Sequence, residues 1–261
     1  MTMQELDLQT HSLAFVDEGE GDAVLLLHSL AGSLHMWDML SASLVSTHRV
    51  LRFDARGHGA TRGDVPFTVK DYAGDALALL EARGIQRCAV VGISMGGQAA
   101  MWMALAAPSS VRGLVLANTS AGASAVAANR FEQACRRIDE IGYPAFAAEY
   151  VASRLAHGQN APGYAAYLRD TLALGATRYL DTFEDILSQD LAVHLPTLAM
   201  PALLIAGDLD ISTTPERMRA LRGLIPESRL TELSEAGHFS CLDQPGAFLD
   251  AVQPFLATLP D

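Results

Sequence analysis

The sequence predicts an α/β protein whose mostly parallel central sheet is covered by helices on both faces and interrupted by a helical insertion. Short, continuous apolar runs alternate with helical periodicity over residues 23–117, and this rhythm returns after Pro196. Continuous apolar strands separated by helices are typical of a parallel sheet that is buried on both faces. Between residues 121 and 195 the strand-like runs stop and only helical patterns remain.

The first part of the chain supplies four predicted strands and the helices between them. The strands are predicted at 23–27, 50–53, 88–91 and 113–117, and the helices at 34–44, 69–82 and 98–106. Gly84 follows the second of these helices, and Pro108 follows the third. Glycine and proline are common just beyond helix ends, which supports these boundaries.

The insertion and the last part of the chain complete the predicted architecture. Helices are predicted at 130–140, 145–155, 164–174 and 179–187, and an alanine-rich hinge at 121–128. Strands at 202–206 and 229–233 and helices at 215–224 and 247–256 follow. We therefore expect a core formed by residues 1–121 and 196–261, with residues 122–195 as a helical cap.

Composition limits the classes of partner. The 261 residues suffice for one large domain or a core with an insertion. Acidic residues outnumber basic ones by 30 to 18, which argues against nucleic acid as a partner. No apolar run approaches the roughly 18 residues of a membrane span, and the N-terminal segment lacks a signal-peptide pattern. We expect no membrane association and a cytoplasmic protein; the oligomeric state is left open.

The three cysteines, Cys88, Cys135 and Cys241, are widely spaced and form no CxxC pair. This pattern predicts reduced thiols of a cytoplasmic protein. Cys241 lies three residues after His238 and is an alternative nucleophile, although no glycine-flanked turn surrounds it. The sequence contains neither a glycine-rich phosphate loop nor metal-ligand spacing, so no cofactor and no metal are expected.

The strongest motif is Gly92-Ile93-Ser94-Met95-Gly96, between a predicted strand and a predicted helix. A G-x-S-x-G segment in this context is a nucleophile elbow, in which a strained turn exposes the serine hydroxyl. The alternative interpretation is a surface turn whose serine caps the helix. We expect Ser94 to be the nucleophile because the flanking strand and helix are both present.

A serine hydroxyl needs a base, and the chain order on this type of fold is serine, acid, histidine. His238 follows the last predicted strand and is the expected base. Asp208 and Asp210 both follow the strand at 202–206. We favour Asp210, which lies farther along the loop; Asp208, at the strand end, would stabilise the loop. The acid would hold the imidazole tautomer and stabilise the imidazolium.

Two backbone N–H groups are needed for the oxyanion of a tetrahedral intermediate. Met95, at the start of the helix, is expected to supply one of them. Leu30, in the loop after the strand at 23–27, is expected to supply the other. His28, the first residue of this loop, and His58, in the turn Arg56-Gly57-His58-Gly59, are interpreted as structural histidines.

With these residues, the chain resembles the α/β-hydrolases, and among them the 3-oxoadipate enol-lactonases of bacterial aromatic catabolism. The matching segments span the core and are 29–30 with 34–38, 49–54 with 56–59, 91–97, and 201–215 with 236–238. The resemblance implies an α/β-hydrolase fold and a serine hydrolase that opens a small ester or lactone. The serine at position 94 also argues against the dehalogenase and epoxide-hydrolase branches, which use an aspartate.

The resemblance is weaker in the cap, which is expected to select the substrate. The enol-lactonases carry an Arg-Trp pair there, whereas this chain has Arg154-Leu155 and no tryptophan between residues 121 and 195. We name Trp37 and Arg154 as candidate substrate-binding residues. A carboxylate on the substrate would need a cation from the cap. The arginines available are Arg130, Arg136, Arg137, Arg154, Arg169 and Arg178.

Other activities use the same triad. They are carboxylester hydrolysis, C–C bond hydrolysis of a meta-cleavage product, and perhydrolysis, and only the cap would distinguish them. An alternative of another class is a ligand-sensing protein that keeps the hydrolase fold and turns over slowly. The intact set of Ser94, Asp210 and His238 argues for an enzyme.

Overall fold

The structure, a computed structural model, describes residues 2–61, 67–122 and 127–260. Within these residues the chain forms a single sheet of eight strands in the order β1-β2-β4-β3-β5-β6-β7-β8. The strands are β1 (Gln4–Asp7), β2 (Ser12–Glu18), β3 (Asp22–Leu27), β4 (His48–Phe53), β5 (Cys88–Ile93), β6 (Val111–Ala117), β7 (Ala202–Gly207) and β8 (Ser228–Leu233).

Strands β3 to β8 are mutually parallel, as predicted, whereas β1 and β2 form an antiparallel extension at one edge. The sequence pattern does not predict this extension. Its first strand alternates half-buried and exposed residues and lacks an apolar run. The second strand buries only residues 13–16 and pairs with β4. The two strands are joined through Gln9, which has a left-handed φ of 68°.

Helices pack on this sheet and on one another. Helix α2 contacts α3, which packs on β5 and β6, while α1 contacts α10, and α8 and α10 both pack on β7 and β8. The core helices are α1 (Asp38–Leu44), α2 (Val69–Ala82), α3 (Met95–Ala106), α8 (Pro215–Arg222), α9 (Ser240–Asp243) and α10 (Pro245–Leu256). Strands β5, β6 and β7 are buried along their whole length, which matches their continuous apolar sequences.

Two core helices begin three or more residues away from their predicted starts. The segment predicted as one helix at 34–44 is a 3₁₀ turn (Leu34–Trp37) followed by α1. Helix α3 begins at Met95, three residues earlier than predicted, because Gly96 and Gly97 belong to its first turn. Glycine lowers helix propensity, so a pattern-based prediction places the helix start after the two glycines.

The insert, defined here as α4 to α7, lies between β6 and β7. Its helices are α4 (Ala127–Ile141), α5 (Tyr143–Arg154), α6 (Tyr164–Leu174) and α7 (Ala176–Ser188). Helix α4 packs on α7, and α5 packs on α6. Their interior contains the rings of Phe146, Tyr150 and Tyr179, with centroids 5.2 to 6.2 Å apart. Aromatic pairs at these separations add to the stabilisation from burial.

The two ends of the insert meet where it joins the core. Gly122 forms an antiparallel bridge with Asp190, and the Leu191 N–H donates to the Ala121 carbonyl at 2.9 Å. A Cβ on Gly122 would lie 1.8 Å from the Gln189 carbonyl oxygen, so only glycine fits this approach. The predicted hinge at 121–128 lies partly outside the described residues, which omit 123–126.

Within the described part of the chain, no helix combines the length and the apolar character that a bilayer crossing requires.

Candidate active site

Ser94 occupies a sharp turn between β5 and α3. Its φ of 54° and ψ of −115° lie in a region that residues other than glycine rarely adopt. The Ser94 N–H donates to the Ala117 carbonyl at 2.9 Å, and the Ser94 carbonyl accepts from the Gly97 and Gln98 N–H groups. These backbone bonds hold the strained residue at the carboxyl end of the sheet, with α3 starting directly behind it.

Glycines make this turn possible. A Cβ on Gly92 would lie 2.2 Å from the Gly96 carbonyl oxygen, and a Cβ on Gly96 would lie 2.1 Å from the Leu27 carbonyl oxygen. Both neighbours are backbone atoms that cannot rotate away. The strand and the helix therefore approach closely only because these two positions lack side chains.

His238 follows β8, and its ring lies between Ser94 and Asp210. The distance from His238 Nε2 to Ser94 Oγ is 2.9 Å, and the distance from His238 Nδ1 to Asp210 Oδ2 is 2.8 Å. Both distances are within hydrogen-bonding range. With Nδ1–H donating to the carboxylate, Nε2 is left as an acceptor for the serine hydroxyl.

The Asp210 carboxylate is 3% exposed and accepts a dense set of hydrogen bonds. Oδ1 accepts from the N–H groups of Ser212 (2.7 Å) and Thr213 (3.1 Å). Oδ2 accepts from the Thr213 hydroxyl (2.6 Å) and the Asn118 amide (3.0 Å), as well as from His238. Burial alone would raise the pKa of Asp210, but the charge of His238 and these bonds outweigh burial and hold it well below its usual range.

Asp208, the alternative acid, lies elsewhere. It is exposed, and its Oδ1 accepts from the Ala236 N–H at 3.2 Å. This contact ties the loop after β7 to the loop that carries His238. The structure therefore places Asp210, and not Asp208, beside the histidine.

The loop after β3 brings Leu30 to the same site. Leu30 is 3% exposed and lines the pocket together with Ser94 and His238. Its carbonyl accepts a short hydrogen bond from the Tyr167 hydroxyl of α6. Met95 is the first residue of α3, and the first N–H groups of a helix have no partner within it. Leu30 and Met95 thus lie beside Ser94, and their role as oxyanion donors stays a prediction.

The two histidines interpreted as structural are fully enclosed. His28 Nδ1 donates to the Ser29 carbonyl at 2.8 Å, and its Nε2 accepts from the Ala55 N–H at 3.0 Å. His58 Nδ1 donates to the Arg56 carbonyl at 3.1 Å. Burial, followed by the nearby His28 ring, lowers the pKa of His58 to about 3, and burial also lowers the pKa of His28. Neutral, hydrogen-bonded rings in these places brace the loops around the site.

A cavity of about 230 Å³ opens over Ser94 and His238. The insert and the core both line it, with apolar side chains including Phe183, Ile186 and Leu221. Pockets for drug-sized ligands typically measure about 300–1,000 Å³, so this one suits a small molecule.

Arg154, at the end of α5, lines this pocket, as does Arg130 of α4. The Arg154 guanidinium lies 4.7 Å from the centroid of the Tyr150 ring, and its carbonyl accepts from the Phe239 N–H at 3.2 Å. The insert is thereby joined to the loop of His238.

The other arginines considered for substrate binding lie away from the pocket. Arg136, Arg137 and Arg169 are exposed and pair with carboxylates. Arg178 packs against the turn at Gly57.

The structure contradicts the prediction that Trp37 binds the substrate. The side chain is fully buried, packs 6.0 Å from the Phe248 ring and does not reach the pocket. It precedes α1, on the side of the loop that faces α10, so an aromatic residue there fills the core. Trp37 is therefore not placed to contact a substrate.

The described cysteines are free thiols. Cys241, the alternative nucleophile, is 6% exposed and is absent from the residues that line the pocket. Burial raises the pKa of its thiol, which disfavours the reactive thiolate. In the described part of the chain, no three His, Cys, Asp or Glu side chains converge as metal ligands.

The structure also reveals residues that the sequence analysis does not single out. Asn118 and Thr213 contact Asp210, Tyr167 contacts Leu30, and Arg217 of α8 lines the pocket. Asn118 directly follows β6, and polar residues at the carboxyl ends of parallel strands converge on a ligand site. That rule could have identified Asn118, whereas Tyr167 and Arg217 lie on helices whose patterns resemble those of ordinary surface helices.

Comparison with known proteins gives related hydrolases over nearly the whole chain. The 3-oxoadipate enol-lactonase 2 of Acinetobacter baylyi is 30% identical, over 95% of this chain and 94% of its own. The enol-lactonase of Burkholderia xenovorans has a structure with a TM-score of 0.86 at 28% identity, covering 97% and 100% of the two chains. A thermophilic esterase from Thermogutta terrifontis with malate bound has a TM-score of 0.86 at 26% identity, covering 98% of each chain.

A model of the α/β-hydrolase fold family matches residues 22–245. These residues include β3 to β8 and the insert, and the mostly parallel sheet agrees with that fold. The chain belongs to the α/β-hydrolase family and is a hydrolase.

Proposed function

We propose that this hydrolase opens a small ester or lactone through a Ser94–His238–Asp210 triad, as a 3-oxoadipate enol-lactonase does. The observation that carries the proposal is the continuous series of contacts from Asp210 through His238 to Ser94 at 2.8 and 2.9 Å, at the base of a small pocket. A nucleophile, a base and an orienting acid within hydrogen-bonding distance form the constellation required for acyl transfer.

In the first half of the reaction, Ser94 Oγ attacks the carbonyl carbon while His238 Nε2 takes the hydroxyl proton. The N–H groups of Leu30 and Met95 bind the oxyanion of the tetrahedral intermediate. The C–O bond of the ester or lactone then breaks, and the leaving oxygen takes the proton from His238. In a lactone, the leaving group remains attached to the acyl-enzyme through the opened ring.

In the second half, water attacks the acyl-enzyme as His238 removes its proton, and Ser94 leaves as the protonated alcohol. A free carboxylate is released. Asp210 keeps the imidazole in the required tautomer and stabilises its charged form in both halves. The low pKa of Asp210 suits this role, because the acid stays ionised at neutral pH.

Arg154 is proposed to bind a carboxylate on the substrate. It lines the pocket and is joined through its carbonyl to the residue after His238. A guanidinium presents paired N–H groups that match both oxygens of a carboxylate. An enol-lactone bearing a carboxylate would thus be oriented relative to the base, which favours the lactonase over a hydrolase of neutral esters.

The test is hydrolysis of the enol-lactone of 3-oxoadipate, followed by the loss of its ultraviolet absorbance, with p-nitrophenyl acetate as the comparison. Fast lactone opening with slow ester cleavage supports the proposal. Ester cleavage without lactone opening would retain the triad but contradict the substrate, and would direct attention to the carboxylesterase, C–C hydrolase and perhydrolase alternatives. Absence of turnover on both substrates and on those alternatives would favour a ligand-sensing role.

A further inference from the structure

Three arginines from three different elements line the pocket above Ser94. They are Arg130 of α4, Arg154 at the end of α5 and Arg217 of α8. Among the described residues that line the pocket, none is an aspartate or a glutamate. The pocket is therefore cationic, although the whole chain carries a formal net charge of −12.

Protein carboxylates do not neutralise these arginines. Within the described ranges of the chain, none of the three forms an ion pair with an Asp or Glu side chain, whereas Arg136 and Arg137 of α4 both do. A chain with 30 acidic residues could readily have supplied such partners. The difference marks the pocket arginines as a group whose charge is left available to a ligand.

The contacts that the three side chains do make hold them in place. Arg130 and Arg154 lie over the rings of Phe183 and Tyr150, at 5.9 and 4.7 Å from the centroids. Arg217 Nη1 donates a hydrogen bond to the Ser212 carbonyl at 2.7 Å. Each guanidinium has five N–H donors, so these contacts leave donors for an anion. Aromatic rings engage the face of a guanidinium and leave its edge free.

The positive charges of the three pocket arginines repel one another. Burial, followed by the positive charges of Arg154 and Arg217, lowers the pKa of Arg130. Like charges gathered in a partly buried space destabilise one another, and anionic groups between them would remove that cost. A single carboxylate would neutralise only one of the three charges.

We propose that the pocket takes an ester or lactone that carries two carboxylates in addition to the carbonyl that is cleaved. This inference rests on the proposed hydrolase function and triad but changes the substrate class, because the enol-lactone of 3-oxoadipate carries only one free carboxylate. Two carboxylates leave one arginine in excess. Hydrolysis then releases a third carboxylate, so the product matches the three cations in number.

The apolar wall of the pocket indicates what lies between the charges. Phe183, Ile186, Leu221 and Leu224 line it beside the arginines. A short hydrocarbon segment would pack on these side chains while its carboxylates reach the guanidinium groups. The ligand class is therefore a small, branched or linear polycarboxylic acid derivative.

Calorimetric titration of the purified protein tests this without turnover. The probes are pentanedioate and propane-1,2,3-tricarboxylate, with pentanoate as the monocarboxylate of matched length. Since a charge-assisted hydrogen bond contributes about 1.5–3 kcal/mol, the di- and tricarboxylates should bind about 10- to 100-fold more tightly than pentanoate. Equal affinity for pentanoate and pentanedioate in the wild-type protein would overturn the proposal.

Substitutions of the arginines test whether they cause the preference for dicarboxylates. Arg130→Met and Arg217→Met keep an apolar stem and should each weaken pentanedioate binding about tenfold or more, whereas Arg136→Met, outside the pocket, should not. Unchanged pentanedioate binding in both pocket variants would also overturn the proposal. Because no reaction is followed, a protein that binds polycarboxylates but opens no lactone would contradict only the hydrolytic proposal. Lactone opening without a preference for pentanedioate would contradict only this inference.

Discussion

The Asn118 side chain donates to Asp210 Oδ2 at 3.0 Å, and the same carboxylate oxygen accepts from His238 Nδ1. Asn118 follows β6, is fully buried and has a left-handed φ of 45°. Its amide also donates to the Gly237 carbonyl at 3.2 Å, and its oxygen accepts from the Ser240 hydroxyl at 2.5 Å. One asparagine thus connects the loop of the acid to the loop of the histidine.

Substitution of the two candidate acids should separate their roles. Asp210→Asn keeps the shape of the side chain but removes the charge that holds the histidine tautomer, so kcat should fall about 10³- to 10⁴-fold. Asp208→Asn retains an oxygen that can accept from the Ala236 N–H and should change kcat less than about tenfold. Steady-state kinetics on the best substrate measures both. A greater loss in Asp208→Asn would contradict the assignment of the acid.

The hydroxyl of Tyr167 should support catalysis from the insert. It donates to the Leu30 carbonyl and so fixes the loop whose N–H is proposed to bind the oxyanion. Tyr167→Phe keeps the ring, and we expect a fall in kcat of about 3- to 10-fold with KM little changed, as one buried hydrogen bond is lost. Tyr164→Phe, on the same helix, is the matched control. Equal kinetics in both variants would argue against this role for Tyr167.

The turn at Ser94 should not tolerate a side chain at Gly96. In Gly96→Ala the new Cβ would lie 2.1 Å from the Leu27 carbonyl oxygen, so either the helix or the strand must move. We expect unfolding in urea to show a loss of about 2 kcal/mol or more, together with a large loss of activity. Gly74→Ala on α2 has no atom within 4 Å of its Cβ, so it should keep full activity and gain about 0.5–1 kcal/mol of stability from the better helix former. Normal stability in Gly96→Ala would contradict the close approach.

The buried His58 should make the protein less stable in mild acid. Its pKa is lowered from 6.5 to about 3 in the folded state. Below about pH 6.5 the unfolded chain binds a proton that the folded protein rejects, so stability is complete above that pH and is lost as the pH falls towards 3. Between pH 7 and pH 5 this one group should cost about 2 kcal/mol.

Urea unfolding of the wild-type protein and of His58→Gln at pH 7 and pH 5 measures this contribution. The variant should lose about 2 kcal/mol less than the wild type over that interval, whatever its stability at pH 7. An identical pH dependence in the two proteins would show that His58 is protonated in the folded state or is not buried.

The sequence predicts the parallel part of the sheet because β5, β6 and β7 are continuous apolar runs, a pattern with few alternative explanations. It does not predict β1 and β2, whose pairing depends on contact with β4 and not on their own composition. The helix pattern of the insert was equally recognisable from its periodicity. The predicted bounds differ from the observed ones by a few residues at several helix ends, as at α3, whose first turn contains Gly96 and Gly97.

The candidate site, like the fold, can be predicted only in part from the sequence. Ser94, Asp210 and His238 can be predicted because each lies in the turn or loop that follows a strand identified from the sequence, and because their order along the chain constrains the choice. Trp37 could not be assigned correctly, since the burial of a tryptophan depends on which side of the loop faces α10. Arg217 and Tyr167 reach the site only through the packing of α8 and α6. Their positions along the sequence do not indicate that packing, so they could not be predicted as site residues.

Turnover by Ser94→Ala, compared with that of the wild type, tests most directly whether Ser94 is the nucleophile. The variant lacks only one oxygen atom, so its circular dichroism spectrum and its binding of pentanedioate should match those of the wild-type protein. On the substrate that the wild type hydrolyses fastest, we expect a fall in kcat of about 10⁴-fold or more. A Ser94→Ala protein that retained the wild-type rate would show that Ser94 is not the nucleophile.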